Sequence, residues 1–282
     1  MRIGHCQLES KYGDFDGNLA KVIMGLEQAE QDRVEVLSFP ECFLTGYPDT
    51  GELARKNAFT VDSPEMMKIL DETSKFDVMF IVGFNEIRGD DLYNTALVAY
   101  KGHLLGTYSK CFAYQPFHKQ GRTFPVFEHH GVKFGVVICA DGGYIEPTRI
   151  LALKGASIVF APHFNYIGEQ GLLDHFQRVR CDHIARAKEN GIYFVRGNNV
   201  VFGHDPAITQ SAGVGYGDSY IVDPMGEIMV RTRRHREDFI FADIDNDHPY
   251  YAAAVNKSFM SFRELKKHLL EAIDIAEASE GR

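Results

Sequence analysis

Val34-Glu35-Val36-Leu37-Ser38-Phe39-Pro40-Glu41 is the stretch on which the fold of this chain turns. Two valines, a leucine and a phenylalanine form a compact apolar run, and Pro40, which lacks an N–H for a strand ladder, closes it. Just upstream, residues 16–32 carry Leu19, Val22, Ile23, Leu26 and Ala29 at helical spacing, with Asp16 as the expected cap. Residues 1–8 read as a short, partly apolar strand. Strand, helix and strand in that order predict a βαβ unit. Glu41 falls just past its second strand, and open α/β sheets place their chemistry beyond the carboxyl ends of strands.

The alternation continues downstream. Residues 63–75 read as a helix and 78–84 as a buried strand. Residues 93–100 and 103–108 flank Lys101-Gly102, which predicts a hairpin. Residues 132–139 form a strand rich in valine and isoleucine, followed by a helix over 146–154 and a strand over 157–161. A long amphipathic helix spans 171–190 and ends at Gly191. Strands follow at 192–195, 219–222 and 239–244, then a helix at 258–276. Hairpins mixed with βαβ units predict an α/β fold of two packed sheets with helices outside, a four-layer α-β-β-α sandwich. No linker or repeat interrupts it, so residues 1–250 are read as one domain and 251–282 as a helical extension able to serve as an oligomer contact.

Composition narrows the function. A formal charge of −9 over 282 residues disfavours nucleic acid and anionic membranes as partners, since both select basic faces. No apolar run approaches the ~20 residues that span a bilayer. The five cysteines are irregularly spaced and include no CxxC pair, which argues against a zinc ribbon or a disulfide framework. A reducing compartment fits best, and the cytoplasm is the expected location.

Three stretches carry chemistry. Glu41, in Phe39-Pro40-Glu41-Cys42-Phe43, should be desolvated and suited to proton transfer, although a lone glutamate there more often caps a turn. Lys110, in Tyr108-Ser109-Lys110-Cys111-Phe112, also follows a strand; such a lysine can hold an oxyanion, although most lysines lie on the surface. Cys139, in Val136-Val137-Ile138-Cys139-Ala140-Asp141-Gly142-Gly143, stands where a strand turns into a helix start, a setting that favours a nucleophilic thiolate. The ordinary alternative is a buried inert cysteine. Gly142 and Gly143 are expected to leave room for substrate. Lys110 follows Glu41 by 69 positions, and Cys139 follows Lys110 by 29.

As a set, these stretches resemble the nitrilase superfamily of carbon-nitrogen hydrolases. Phe39-Pro40-Glu41 with Thr45-Gly46-Tyr47 is similar to the family's base motif, Tyr108-Ser109-Lys110 to its lysine motif, and Cys139-Ala140-Asp141 with Glu146 and Arg149 to its nucleophile motif. Ala185-Arg186-Ala187-Lys188-Glu189-Asn190, Ser219-Tyr220-Ile221-Val222-Asp223-Pro224 and Phe241-Ala242-Asp243-Ile244-Asp245 extend the likeness to about residue 247. The resemblance implies the α-β-β-α sandwich. It implies Glu41 as base, Lys110 and the Ala140 N–H as oxyanion donors, Cys139 as nucleophile, and no metal or other cofactor. The implied substrate is a small amide or ureido compound, with a nitrile as alternative and a non-catalytic binding protein as the contrasting class. A homodimer or higher homo-oligomer is implied as well.

One departure stands out. The family's second glutamate, a few residues after the lysine, is missing from Cys111-Phe112-Ala113-Tyr114-Gln115-Pro116-Phe117-His118. Tyr114 or Gln115 is expected to take its place as a neutral hydrogen-bonding group. His118 reads more readily as a surface histidine. Arginines are also lacking just after the nucleophile, which disfavours a carboxylate anchored there; Arg196 is a remaining candidate to reach the pocket. The pairs Asp174-His175 and Asp182-His183 lie too far apart on one helix for adjacent metal ligands. Gly213–Gly217 reads as a flexible loop beside a pocket, and the arginines at 231, 233, 234 and 236 as a solvated hairpin.

Overall fold

The structure is a computed structural model and describes residues 1–245, 247 and 261–280, with side chains to 278. Two six-stranded sheets face each other. In the first, β1 (Arg2–Gln7), β2 (Val36–Ser38) and β3 (Met79–Arg88) run parallel, joined by α1 (Phe15–Gln31), α2 (Gly51–Lys56) and α3 (Pro64–Thr73). The antiparallel hairpin β4 (Asp91–Tyr100) and β5 (His103–Ser109) extends one edge. The second sheet opens with β6 (Val126–His129), antiparallel to β7 (Val132–Val136); β7, β8 (Ile158–Pro162) and β9 (Tyr193–Gly197) are parallel. Helices α4 (Ile145–Leu153) and α5 (Leu172–Asn190) are its crossovers. A two-stranded ribbon, β10 (Val200–Val201) with β11 (Gly215–Tyr216), follows. Then β12 (Tyr220–Val222) and β13 (Ile228–Arg231) complete the second sheet, while β14 (Asp238–Asp243) returns to pair with β1.

Period-two alternation builds the layers. In β3, Met79 and Ile81 join Phe134, Phe160 and Val195 between the sheets, while Phe80, Val82 and Phe84 pack outward on Leu19, Val22 and Leu26 of α1. In β8, Ile158 and Phe160 face inward, and Val159 and Ala161 meet Leu151 of α4 and Ala187 of α5. Helix, sheet, sheet and helix are thus the four layers the pattern predicts. The Lys101-Gly102 turn has both residues at positive φ (47° and 75°), the geometry that a two-residue hairpin demands.

Some details differ from the sequence reading. Asp14, not Asp16, caps α1, accepting from the Gly17 N–H at 3.0 Å. Residues 213–217 are not a loose loop: Val214 bridges to Ile167, and Gly215 and Tyr216 form β11. The arginine run is not simply solvated, because Arg234 and Arg231 approach the buried Asp218 carboxylate at 3.1 and 3.8 Å. The final helix, α6, spans Phe262–Glu280; the segment just after Tyr250 lies outside the described residues. Among the described residues, no helix is long and apolar enough to cross a membrane.

Candidate active site

Four strand ends converge on one buried cluster. Glu41 follows β2 and Lys110 follows β5, both on the first sheet; Cys139 follows β7 and Asn165 follows β8 on the second. The Lys110 Nζ donates to Glu41 Oε1 at 2.7 Å, with both side chains no more than 1% exposed. Asn94 Nδ2 donates to the same oxygen at 2.6 Å, and the Phe164 N–H to Oε2 at 2.7 Å. The Glu41 carboxylate and the Lys110 ammonium both act on the Cys139 thiol. The three residues singled out by sequence are therefore brought together.

The loop carrying Glu41 needs a bare neighbour. A Cβ at Gly83 of β3 would lie 2.3 Å from the Cys42 amide nitrogen and 3.0 Å from the Glu41 Cα. Glycine there lets the Glu41 loop lie against the sheet.

Burial dominates the electrostatics. It pushes the Cys139 thiol up to about 12, helped by the Glu41 carboxylate and opposed by Lys110. Burial pulls the Lys110 ammonium down, but the attraction of Cys139 once ionised and of the Glu41 carboxylate outweighs it and leaves Lys110 well above the usual lysine range. The resting pair is thus a protonated thiol beside a firmly charged ammonium.

Cys139 sits in a 3-10 turn, Cys139–Gly143, with φ of 49°. Such a left-handed cysteine is strained, and strain of this kind gathers where a side chain must be aimed. Ala140 is the second residue of the turn, where an N–H has no partner inside the helix. Asp141 braces the arrangement. Its buried carboxylate accepts from the Tyr108 hydroxyl at 2.7 Å and the Phe112 and Ile138 N–H groups at 2.7 and 3.1 Å. One side chain therefore ties the Lys110 loop to the Cys139 turn.

Four expectations need correction. Tyr114 is 78% exposed, and the half-buried Gln115 accepts the His118 N–H on its backbone carbonyl at 3.1 Å. The chain doubles back there, and His118 is the residue buried within the field of Lys110. Its Nε2 lies 2.8 Å from Asn85 Oδ1, and burial together with Lys110 drops its pKa to about 3. Gly142 and Gly143 do not open space for substrate; a Cβ at Gly142 would meet His183 and Phe194, and one at Gly143 the Asp182 carboxylate. Arg196 is fully buried and its terminal nitrogens donate to protein oxygens rather than into a pocket.

Beside the cluster opens a cavity of about 540 Å³, lined in part by Tyr12, Tyr47, Phe164, Tyr166 and Phe202. Tyr47 and Phe164 stack there at 4.9 Å. Asn94 and Asn165 are not picked out as site residues by sequence, and His118 is read there as a surface histidine; for the two asparagines the one signal is an amide within a partly apolar stretch. Among the described residues, Glu35, His129 and His130 are close enough to share a metal ion, within 4.8 Å of one another, and none of them belongs to this cluster.

The carbon-nitrogen hydrolase family model matches residues 2–249. A glutamine-dependent NAD(+) synthetase of Thermotoga maritima is 28% identical over 99% of this chain and 48% of its own length. An (R)-stereoselective amidase of Pseudomonas sp. is 27% identical over 83% of this chain and 81% of its own. Among solved structures, a glutamine-dependent NAD+ synthetase from Acinetobacter baumannii superposes with a TM-score of 0.73 at 25% identity, over 87% of this chain and 46% of the other. The chain thus spans about half the length of the synthetases it matches.

Proposed function

Because this chain belongs to the carbon-nitrogen hydrolase family, we propose that it hydrolyses a small amide or ureido compound through a thioester on Cys139. The observation that carries the reading is the buried Glu41–Lys110 pair at 2.7 Å, with the Cys139 thiol within the influence of both charges. Glu41 takes the thiol proton as Sγ attacks the carbonyl carbon. The carbonyl oxygen gains the electron pair and is met by Lys110 Nζ and the Ala140 N–H. The tetrahedral centre collapses, Glu41 returns its proton to the departing nitrogen, and ammonia or an amine leaves. Water then gives a proton to Glu41 and attacks the thioester, releasing the acid and restoring the thiol.

A thiol at about 12 explains why the base must sit in contact with it: free thiolate is scarce near neutrality, so ionisation and attack have to be coupled. His118, neutral in the working range, offers hydrogen bonding without negative charge where the family's second acid is missing.

A second reading rests on the match of nearly the whole chain to half of a glutamine-dependent synthetase: the substrate is a glutamine-like amide whose ammonia is passed on. We further propose that the protein works as a homodimer or higher homo-oligomer in the cytoplasm. Ammonia release across a panel of amides, ureido compounds and nitriles tests the substrate class. Mass spectrometry should find an acyl adduct on Cys139, and undiminished turnover by Cys139→Ala would overturn the mechanism.

A further inference from the structure

Arg196 lies within β9 and is 0% exposed. One terminal nitrogen donates to the carbonyls of Gly217 and Asp218 at 3.0 and 2.6 Å. The other donates to Asn165 Oδ1 at 2.7 Å and the Tyr216 hydroxyl at 2.9 Å. A guanidinium can only donate, so the Asn165 carboxamide must turn its oxygen toward Arg196. That settles which end is which, normally an ambiguity of amides. The Asn165 amino group then faces Cys139, with Nδ2 3.6 Å from Sγ. The backbone is pinned too: the Asn165 N–H donates to Asn198 Oδ1 and Asn199 Oδ1 at 3.1 and 2.9 Å.

We propose that Asn165 is a further catalytic residue of this site, donating Nδ2–H to the Cys139 sulfur as it becomes a thiolate, with Arg196 the positioning residue that aims the donor. The proposal rests on the reading of Cys139 as nucleophile. A thiol is a weak acceptor and a thiolate a strong one, so this bond strengthens just as charge develops. Donors that gain strength in the ionised form lower the barrier; donors that bind both forms equally do not.

The charge pattern explains why a buried arginine is kept. The Asp218 carboxylate is engaged by Arg180 at 3.0 Å and Arg234 at 3.1 Å, and Arg196 touches only the Asp218 backbone. The His163 and His183 imidazoles are held neutral by burial and by the charge of Arg196. A guanidinium so placed lacks a hydrogen-bonded anion, and a thiolate on the far side of Asn165 provides a countercharge. The other ionisable groups that sense Cys139 are Glu41, Lys110, Cys42, Tyr47 and Tyr216.

The test is the rate of Cys139 alkylation by iodoacetamide against pH in the full chain, resolved by peptide mass spectrometry, for wild type, Asn165→Ala, Asn165→Ser, Asn165→Asp and Arg196→Lys. Thermal melting of each variant reports its folding. Loss of the donor should move the profile up by about one pH unit, roughly tenfold slower alkylation at fixed pH. Asn165→Asp, which sets a carboxylate beside the sulfur, should be slower still, and Arg196→Lys intermediate. A folded Asn165→Ala or Asn165→Ser with the wild-type profile overturns the proposal, as does an Asn165→Asp that alkylates faster. Undiminished ammonia release by Cys139→Ala would instead remove the nucleophile reading, and this proposal with it.

Discussion

Replacing Lys110 by methionine keeps the length of the side chain and deletes its charge. Glu41 would then remain under a sheet at 1% exposure with only the Asn94 amide and the Phe164 N–H as donors. Solvent offers no screening at that depth, so the loss should be that of a broken buried pair, about 3–5 kcal/mol. For a chain of this size that corresponds to a melting point lower by roughly 10 °C. Turnover should fall further than stability alone explains, by about 10²–10³-fold, because an oxyanion donor is gone. The decisive comparison is Glu41→Gln/Lys110→Met. Removing both charges leaves no orphaned ion, so the double variant should regain about 2 kcal/mol or more over Lys110→Met while staying inactive. Urea unfolding of the four proteins, with ammonia release in parallel, makes the measurement. A double variant no more stable than Lys110→Met would refute the claim that the pair, rather than the lysine's packing, holds this region.

Gly83→Ala would force its methyl into the Cys42 amide, found 2.3 Å from the Cβ position. It should cost about 1–3 kcal/mol and roughly 10²-fold in turnover by displacing Glu41; a full-rate variant would show that the loop is not held by that contact. Acid should unfold the protein early. The folded state holds His5 and His118 at about 3 and His175 at about 4, below the 6.5 of an exposed imidazole. Depressed folded values mean that the unfolded chain binds more protons, so stability is complete above about pH 6.5 and falls as pH drops toward 3. Each group contributes a slope of about 1.4 kcal/mol per pH unit in that window. Denaturation curves between pH 7 and 4 should show the steep fall, and His118→Gln should flatten it by one proton; an unaltered slope would mean that His118 already titrates normally.

The layers were legible because the strands read as short apolar runs and the helices between them show an apolar face. Glu41, Lys110 and Cys139 were legible because each follows a strand end, where a charged or nucleophilic side chain in apolar surroundings is conspicuous. The rest depended on contacts made across the fold. Asn94 reaches Glu41 over 53 residues, and Arg196 reaches Asn165 over 31. Asparagines and strand-borne arginines carry no chemistry of their own that a linear reading can rank. Counting forward from Lys110 pointed to Tyr114 and Gln115, but the backbone turns there, with the His118 N–H on the Gln115 carbonyl and the Gly121 N–H back on that of Lys110. The residue that returns to the lysine is therefore His118.

Asp141 gives the assembly an all-or-nothing character. Its carboxylate collects donors from the loop after β5 and from the end of β7, which belong to different sheets. Glu41 and Lys110 are translated before residue 111, and Cys139 only afterwards. A nascent or half-unfolded chain thus carries a cysteine that ionises more readily than the buried one but lacks the partners that would let it turn an amide over. Amide turnover would accordingly count completed molecules rather than total polypeptide, and two fragments divided near residue 122 would report their own reunion by regaining it.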